Sequence, residues 1–334
     1  MSSGSLQGAW GRLAPRRVHG IAATLLPYTP DGRIDWGAFE RHVARTHAAG
    51  LDVAVNMDTG FGDLLSSGER MAVLETTRRA LGPGPRFYAG AFAGDAHPED
   101  LPAAYRTAIA AIERRDGLPV IVQSMAMAGM RPASKAALYA DAVSAARAGA
   151  LAFELSPRFA PHGEIWDDET FERLLDVPGL LGAKHSSLER DTELRRLEVR
   201  DRRRPEFRIY TGNDLAIDMV TFGSDYLLGL ATFAPEQFAA RDAALAVGDA
   251  SALALGDALQ HLGNVGFREP IPAYKHAAAL FLHLTGQLAS DSIHPRAPRR
   301  PQSDRVLLLD CARRLGLVDD LDAVYRERVA PFLA

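Results

Sequence analysis

The 334-residue chain has one cysteine, Cys311. That excludes an internal disulfide framework and a cysteine-based zinc site, and it fits a reducing compartment, so a cytoplasmic location is expected. The charge is nearly balanced, formally -4 at pH 7, which gives no electrostatic reason to expect nucleic acid or an anionic membrane as partner. No apolar run approaches the length of a membrane span. Residues 1–18 carry Arg12, Arg16 and Arg17 among Gly, Ser and Pro and lack the apolar segment of a signal peptide, so they read as a mobile arm. Internal repeats are absent, and the one basic run, Arg200 with Arg202, Arg203 and Arg204, reads as a solvated loop. No Gly-x-Gly-x-x-Gly turn follows the first apolar run, which argues against a dinucleotide-binding open sheet. No His-x-His or Glu-x-x-His spacing marks a metal centre, so neither a cofactor nor a metal is called for.

What the chain does have is 47% hydrophobic and 24% charged residues, enough for a large α/β core. Apolar runs suited to buried parallel strands fall at residues 20–26, 52–56, 86–90, 119–122, 150–155, 180–184, 207–210 and 225–228. Amphipathic helical stretches follow at 36–49, 67–81, 98–114, 134–148, 168–175, 191–199, 215–222 and 235–247. Asp35 stands where the first helix needs an N-cap, and the second opens in a Ser-Ser-Gly-Glu cap-like sequence. Eight strand-helix units predict a (β/α)8 TIM barrel over residues 19–248, preceded by the arm and followed by a C-terminal helical segment over 249–334.

Within the sixth apolar run, Leu-Leu-Gly-Ala-Lys-His-Ser-Ser, a lysine stands where the strand would leave the core. A partly desolvated lysine has a lowered pKa and becomes a neutral amine able to attack a carbonyl. Lys184 is therefore the candidate Schiff-base residue; the simpler alternative is a lysine whose stem covers a strand end. Alternation places Gly182 and Lys184 on the inner wall, and on the fifth strand Ala152 and Glu154 inside with Phe153 and Leu155 facing the helices. Glu154 and Lys184 are then expected neighbours, and Asn56 and Asp58 lie toward the inside of the second strand's end.

These residues resemble the dihydrodipicolinate synthase and N-acetylneuraminate lyase superfamily of Schiff-base aldolases. Leu26-Pro27-Tyr28 with Asp31-Gly32-Arg33-Ile34-Asp35 is similar to the family's opening segment. Asp58-Thr59-Gly60, Leu65-Ser66 and Glu69-Arg70 follow its Gly-Thr-Thr-Gly-Glu, Leu-Ser and Glu-Arg; Gly182 to Ser187 resembles its Gly-x-Lys-Asp-Ser-Ser; Gly212-Asn213-Asp214 its Gly-x-Asp; and Pro272 to Lys275 its Pro-x-x-Lys. The resemblance implies a barrel with C-terminal helices, imine formation on Lys184, a small-molecule substrate and a homo-oligomer, dimer or tetramer. It also implies substrate-binding roles for Thr59, Gly60, Asp214, His185 and, by a shifted match, Arg158. The departures matter equally. Glu154-Leu155-Ser156-Pro157 stands where the family has Tyr-Asn-x-Pro, the tyrosine pair after the fourth strand is replaced by Ser124 to Gly129, and the first threonine of the Thr-Thr pair is Asp58.

The expected function is a Schiff-base aldolase or dehydratase for a 2-oxo acid such as pyruvate or a related keto-sugar, and not dihydrodipicolinate synthase itself. Asp58 and Glu154 are its expected proton-transfer pair, provided burial raises the Glu154 pKa toward neutrality. Two alternatives stand beside it. In one, Asp58, Glu154, His185 and Asp214 converge on a divalent metal of an aldolase or isomerase; in the other, the chain is a catalytically inactive binding relative. Lys275 reads as a buried pair partner, and Met125, Met127 and Met130 as either pocket lining or a subunit contact.

Overall fold

Parallel strands buried on both faces carry near-continuous apolar runs, and here each run pairs with the next until the sheet closes on itself. In a computed structural model that describes residues 15–94 and 96–333, the barrel runs in chain order: β1 (Gly20–Ala23), β2 (Asp52–Val55), β3 (Phe87–Ala91), β4 (Gly117–Ile121), β5 (Ala150–Leu155), β6 (Leu180–Ser186), β7 (Arg208–Thr211) and β8 (Asp225–Leu228). Strand β8 pairs with β1 and completes the (β/α)8 architecture. The outer layer is α1 (Trp36–Ala48), α2 (Ser67–Leu81), α3 (Leu101–Glu113), α4 (Pro132–Ser144), α5 (Asp168–Leu175), α6 (Arg190–Arg203) and α7 (Pro235–Val247). Asp35 caps α1 by accepting the Ala38 N–H at 2.9 Å, and Ser66 with Glu69 forms a capping box at α2.

Two expectations need correction. The helix expected over 215–222 is a 3₁₀ helix, Ile217–Phe222, because the short connection from β7 to β8 ends at Gly223 with φ 116°, a conformation open mainly to glycine. The basic run is the last turn of α6 rather than a solvated loop; Arg200 is buried there and donates to the carbonyls of Phe207 and Gly223. Residues 1–14 of the expected arm lie outside the described residues. In its remainder, Arg16 donates to the carbonyls of Val220, Gly223 and Ser224 and pairs with Asp225 at 3.0 Å.

The C-terminal segment contributes α8 (Ser251–Gly266), α9 (Tyr274–Leu284), α10 (Asp304–Arg314) and α11 (Leu321–Arg328). Every residue of α9 except His283 is buried, as its apolar residues on most sides require. Cys311 is buried in α10. Among the described residues no helix is long and apolar enough to cross a membrane.

The pairing of β5 with β6 carries one irregularity with consequences for the site. Ala150 pairs with Leu180 and Leu151 with Gly182, so Leu181 is left without a partner on β5. Beyond that point Phe153 is level with Lys184 and Glu154 with His185. Level residues on parallel neighbours face the same side of the sheet. The expectation that Glu154 lies inside beside Lys184 is therefore overturned.

Candidate active site

Active sites of such barrels form where the strands end, from the loops that follow them. Lys184, on β6, is buried inside this end. Its Nζ lies 2.9 Å from Ser186 Oγ and 4.1 Å from the centroid of the Phe153 ring. Glycine at 212 makes the space, since a Cβ there would overlap Ser186 Oγ and stand 3.0 Å from Lys184 Cε. Burial lowers the Lys184 pKa, against the opposing charges of Asp214 and Asp58. Asp214 is just beyond β7, where its Oδ1 accepts the Leu230 N–H at 2.7 Å. Burial raises its pKa, against that hydrogen bond and the lysine charge. The pair is thus pushed toward neutral amine and neutral acid.

Asp58, Thr59 and Gly60 form a 3₁₀ turn after β2. The sharp exit from the strand uses Asn56 at φ 52°, a left-handed conformation that asparagine tolerates, and the Asn56 amide donates to Arg70 O rather than pointing to the lysine. Gly60 packs so closely that a Cβ would be 3.2 Å from Thr24 O. Asp58 Oδ1 pairs with Lys275 Nζ at 2.7 Å, and Oδ2 accepts from Tyr274 OH at 2.8 Å. Tyr274 OH is also 2.8 Å from Thr59 Oγ1. Both partners come from the start of α9, and Lys275 is the buried pair partner that its surroundings suggested. Tyr274 was missed by sequence reasoning. The only signal was its place beside Lys275 in a run that the family resemblance had already aligned.

Glu154 and His185 are placed elsewhere. Both are 1% exposed, on the outer side of the sheet under α5 and α6. Glu154 Oε1 is 2.5 Å from His185 Nδ1 and 3.4 Å from Arg196 Nε, and Oε2 accepts the Trp166 N–H at 2.9 Å. His185 Nε2 is 2.7 Å from Ser187 Oγ. Burial pushes the Glu154 carboxyl up, but His185, Arg196 and the Trp166 N–H outweigh it and the pKa is lowered. The raised pKa required of a proton-transfer group is thus not met, and Asp58 and Glu154 do not form a pair. Nor do Asp58, Glu154, His185 and Asp214 converge, because the sheet separates them. Among the described residues no group of three or more His, Cys, Asp or Glu side chains is placed to hold a metal ion.

Arg158 sits on the rim, half exposed, paired with Glu269 at 2.5 Å. Beside the mouth, a cleft of about 510 Å³ lies over the ends of β3 and β4, lined by Arg70, Phe92, His97, Ser124 and Met125 among others. Met125 is exposed in this cleft, whereas Met127 is buried with its sulfur 3.3 Å from Tyr105 OH, so the methionines divide between lining and packing.

A family model described as a protein of unknown function (DUF993) matches residues 5–334, and the chain belongs to that family. No curated protein sequence matches it. The structure is similar to dihydrodipicolinate synthase from Thermotoga maritima, with TM-score 0.75 and 18% identity over 91% of this chain and 100% of that one. It is also similar to YagE, an E. coli prophage protein of the dihydrodipicolinic acid synthase family solved in complex with pyruvate, with TM-score 0.76 and 16% identity over 90% of this chain and 99% of that one. The chloride-inhibited dihydrodipicolinate synthase from Acinetobacter baumannii, complexed with pyruvate, gives TM-score 0.72 and 19% identity over 91% of this chain and 100% of that one. At these identities the likeness is one of fold: the chain is a divergent barrel of the dihydrodipicolinate synthase type.

Proposed function

We propose that this member of the family is a lyase that holds its substrate as an imine on Lys184, an aldolase or dehydratase for a 2-oxo acid such as pyruvate or a related keto-sugar. One observation carries the reading: an amine buried at the catalytic end of the barrel, its pKa lowered by burial, with Asp214 and Asp58 in electrostatic reach. A neutral amine adds to the substrate carbonyl: the nitrogen lone pair forms the C–N bond, the carbonyl π pair moves to oxygen, and the proton shed by the nitrogen goes to that oxygen. The carbinolamine then loses that oxygen as water. Asp214, whose pKa burial raises, is the acid that protonates the departing hydroxyl, leaving the iminium on Lys184.

Thr59 and Gly60 line the substrate's side of the mouth, and Arg158 reaches it from the rim. His185 and Glu154 support the site from behind the sheet. The ring beside Lys184 is that of Phe153, which has no hydroxyl, and this argues against the tyrosine-dependent chemistry of dihydrodipicolinate synthase itself. Asp58 carries no uncompensated charge because Lys275 pairs with it, so a substrate carboxylate meets less repulsion than the sequence suggested. On its cysteine usage we place the protein in the cytoplasm, and by the family resemblance as a homo-oligomer, dimer or tetramer.

The test is intact mass after borohydride reduction with pyruvate and with a panel of keto-sugars. The wild type is expected to gain the mass of one reduced substrate, and Lys184→Ala to gain nothing. Equal labelling of both proteins, or of neither, rejects the imine.

A further inference from the structure

Carbon chemistry on an imine needs a proton taken from the substrate carbon, and the residue expected to take it, Glu154, lies behind the sheet. We infer that Thr59, Tyr274 and Asp58 form a proton path to and from the substrate carbon, with the phenol supplied by the C-terminal helix α9. The inference rests on the imine reading and adds the residues for its second step.

Hydrogen counting fixes the direction of the hydrogen bonds. A carboxylate oxygen only accepts, so the 2.8 Å contact between Tyr274 OH and Asp58 Oδ2 uses the one phenolic proton. The phenol oxygen must then accept in its other contact, and Thr59 Oγ1, 2.8 Å away, donates to it. Every proton therefore already points from Thr59 toward Asp58. Lys275 occupies the other oxygen, Oδ1, at 2.7 Å and leaves Oδ2 as the terminus. Burial and the charge of Asp58 raise the Tyr274 pKa, so the phenol stays protonated and conducts rather than ionises. The geometry is tightly held. Tyr274 stacks on Phe267 at 4.3 Å between ring centroids, and a Cβ at Gly229 would be 3.0 Å from both Thr59 Oγ1 and Tyr274 Cε2.

The step balances without another reactant. The C–H bond next to the iminium breaks, its electron pair becomes the enamine double bond, and the iminium π pair returns to the lysine nitrogen. The proton goes to Thr59 Oγ1 as the Thr59 proton passes to Tyr274 and the Tyr274 proton to Asp58 Oδ2. Thr59 touches the substrate; Tyr274 and Asp58 act through it.

The experiment is borohydride trapping in D₂O after timed incubation with pyruvate, read by mass. Adduct yield reports the imine, and carbon-bound deuterium in the trapped unit reports enamine formation. Wild type is expected to give a deuterated adduct. Tyr274→Phe, which keeps the ring and its stacking, is expected to form adduct within a few-fold of wild type while deuterium uptake falls by roughly 10²-fold or more. Thr59→Ser should keep the uptake and Thr59→Val lose it. Uptake at the wild-type rate in Tyr274→Phe, or in Thr59→Val, overturns the path while leaving the imine intact. A wild type that forms no adduct with pyruvate or any keto-sugar overturns the imine reading, and the path with it.

Discussion

Lys184 was legible as a residue because a lysine is out of place at the end of a buried strand. Glu154 was misread because alternation assigned it to the inner wall, in a run whose six residues are all buried. In a closed barrel both faces of a strand are covered, so alternation carries no information about which side is inside. What the carboxylate does is pair with Arg196 and hydrogen-bond to His185 within the wall. Glu154→Gln is accordingly expected to retain imine trapping but to lose roughly 1–3 kcal/mol of stability in urea unfolding, because a buried charged acceptor is lost while Asp168 still pairs with Arg196. The pH dependence has a definite sign. Because the folded Glu154 pKa is lowered, its contribution is present above the unfolded value, about 4.3, and is lost as pH falls through the folded one. The difference between wild type and Glu154→Gln should shrink on acidification below that range. At the site itself, Asp214 raises the Lys184 pKa against burial. Asp214→Asn should therefore move the midpoint of the pH profile for trapping to lower pH, while the missing acid lowers the plateau rate; a midpoint that moves up would contradict the assignment.

At the level of elements, the strands and most helices follow directly from apolar runs and caps, and the barrel follows from their number. The errors lie where spacing gives way to register or to sharp local geometry. The connection from β7 to β8 has apolar residues at helical intervals, yet lacks the room for a helix before Gly223. The unpaired Leu181 cannot be seen in a single strand's pattern at all, since it is a property of two strands together. The tight ends of β7 and β8 provide a test at this scale. Gly212→Ala would drive a methyl group into Ser186 and against Lys184, and is expected to abolish trapping while the far-UV circular dichroism of the folded barrel is retained. Retained trapping would mean that the lysine is not confined as described.

Across the whole molecule, the C-terminal segment packs against the mouth of the barrel. Helix α9 buries almost its full circumference and brings Tyr274 and Lys275 to the turn after β2. If it belongs to the same cooperative unit, the amides of 278–284 should show native-state hydrogen exchange free energies close to those of β6; markedly faster exchange would identify it as a separately opening segment. The bond between Thr59 and Tyr274 joins positions 215 residues apart. A chain made from its N-terminus therefore holds the lysine, both acids and the threonine long before the phenol exists. On the proposed chemistry the growing polypeptide stays unfinished until α9 has been made, so the carbonyl metabolites around the ribosome meet the assembled site only once that helix has emerged.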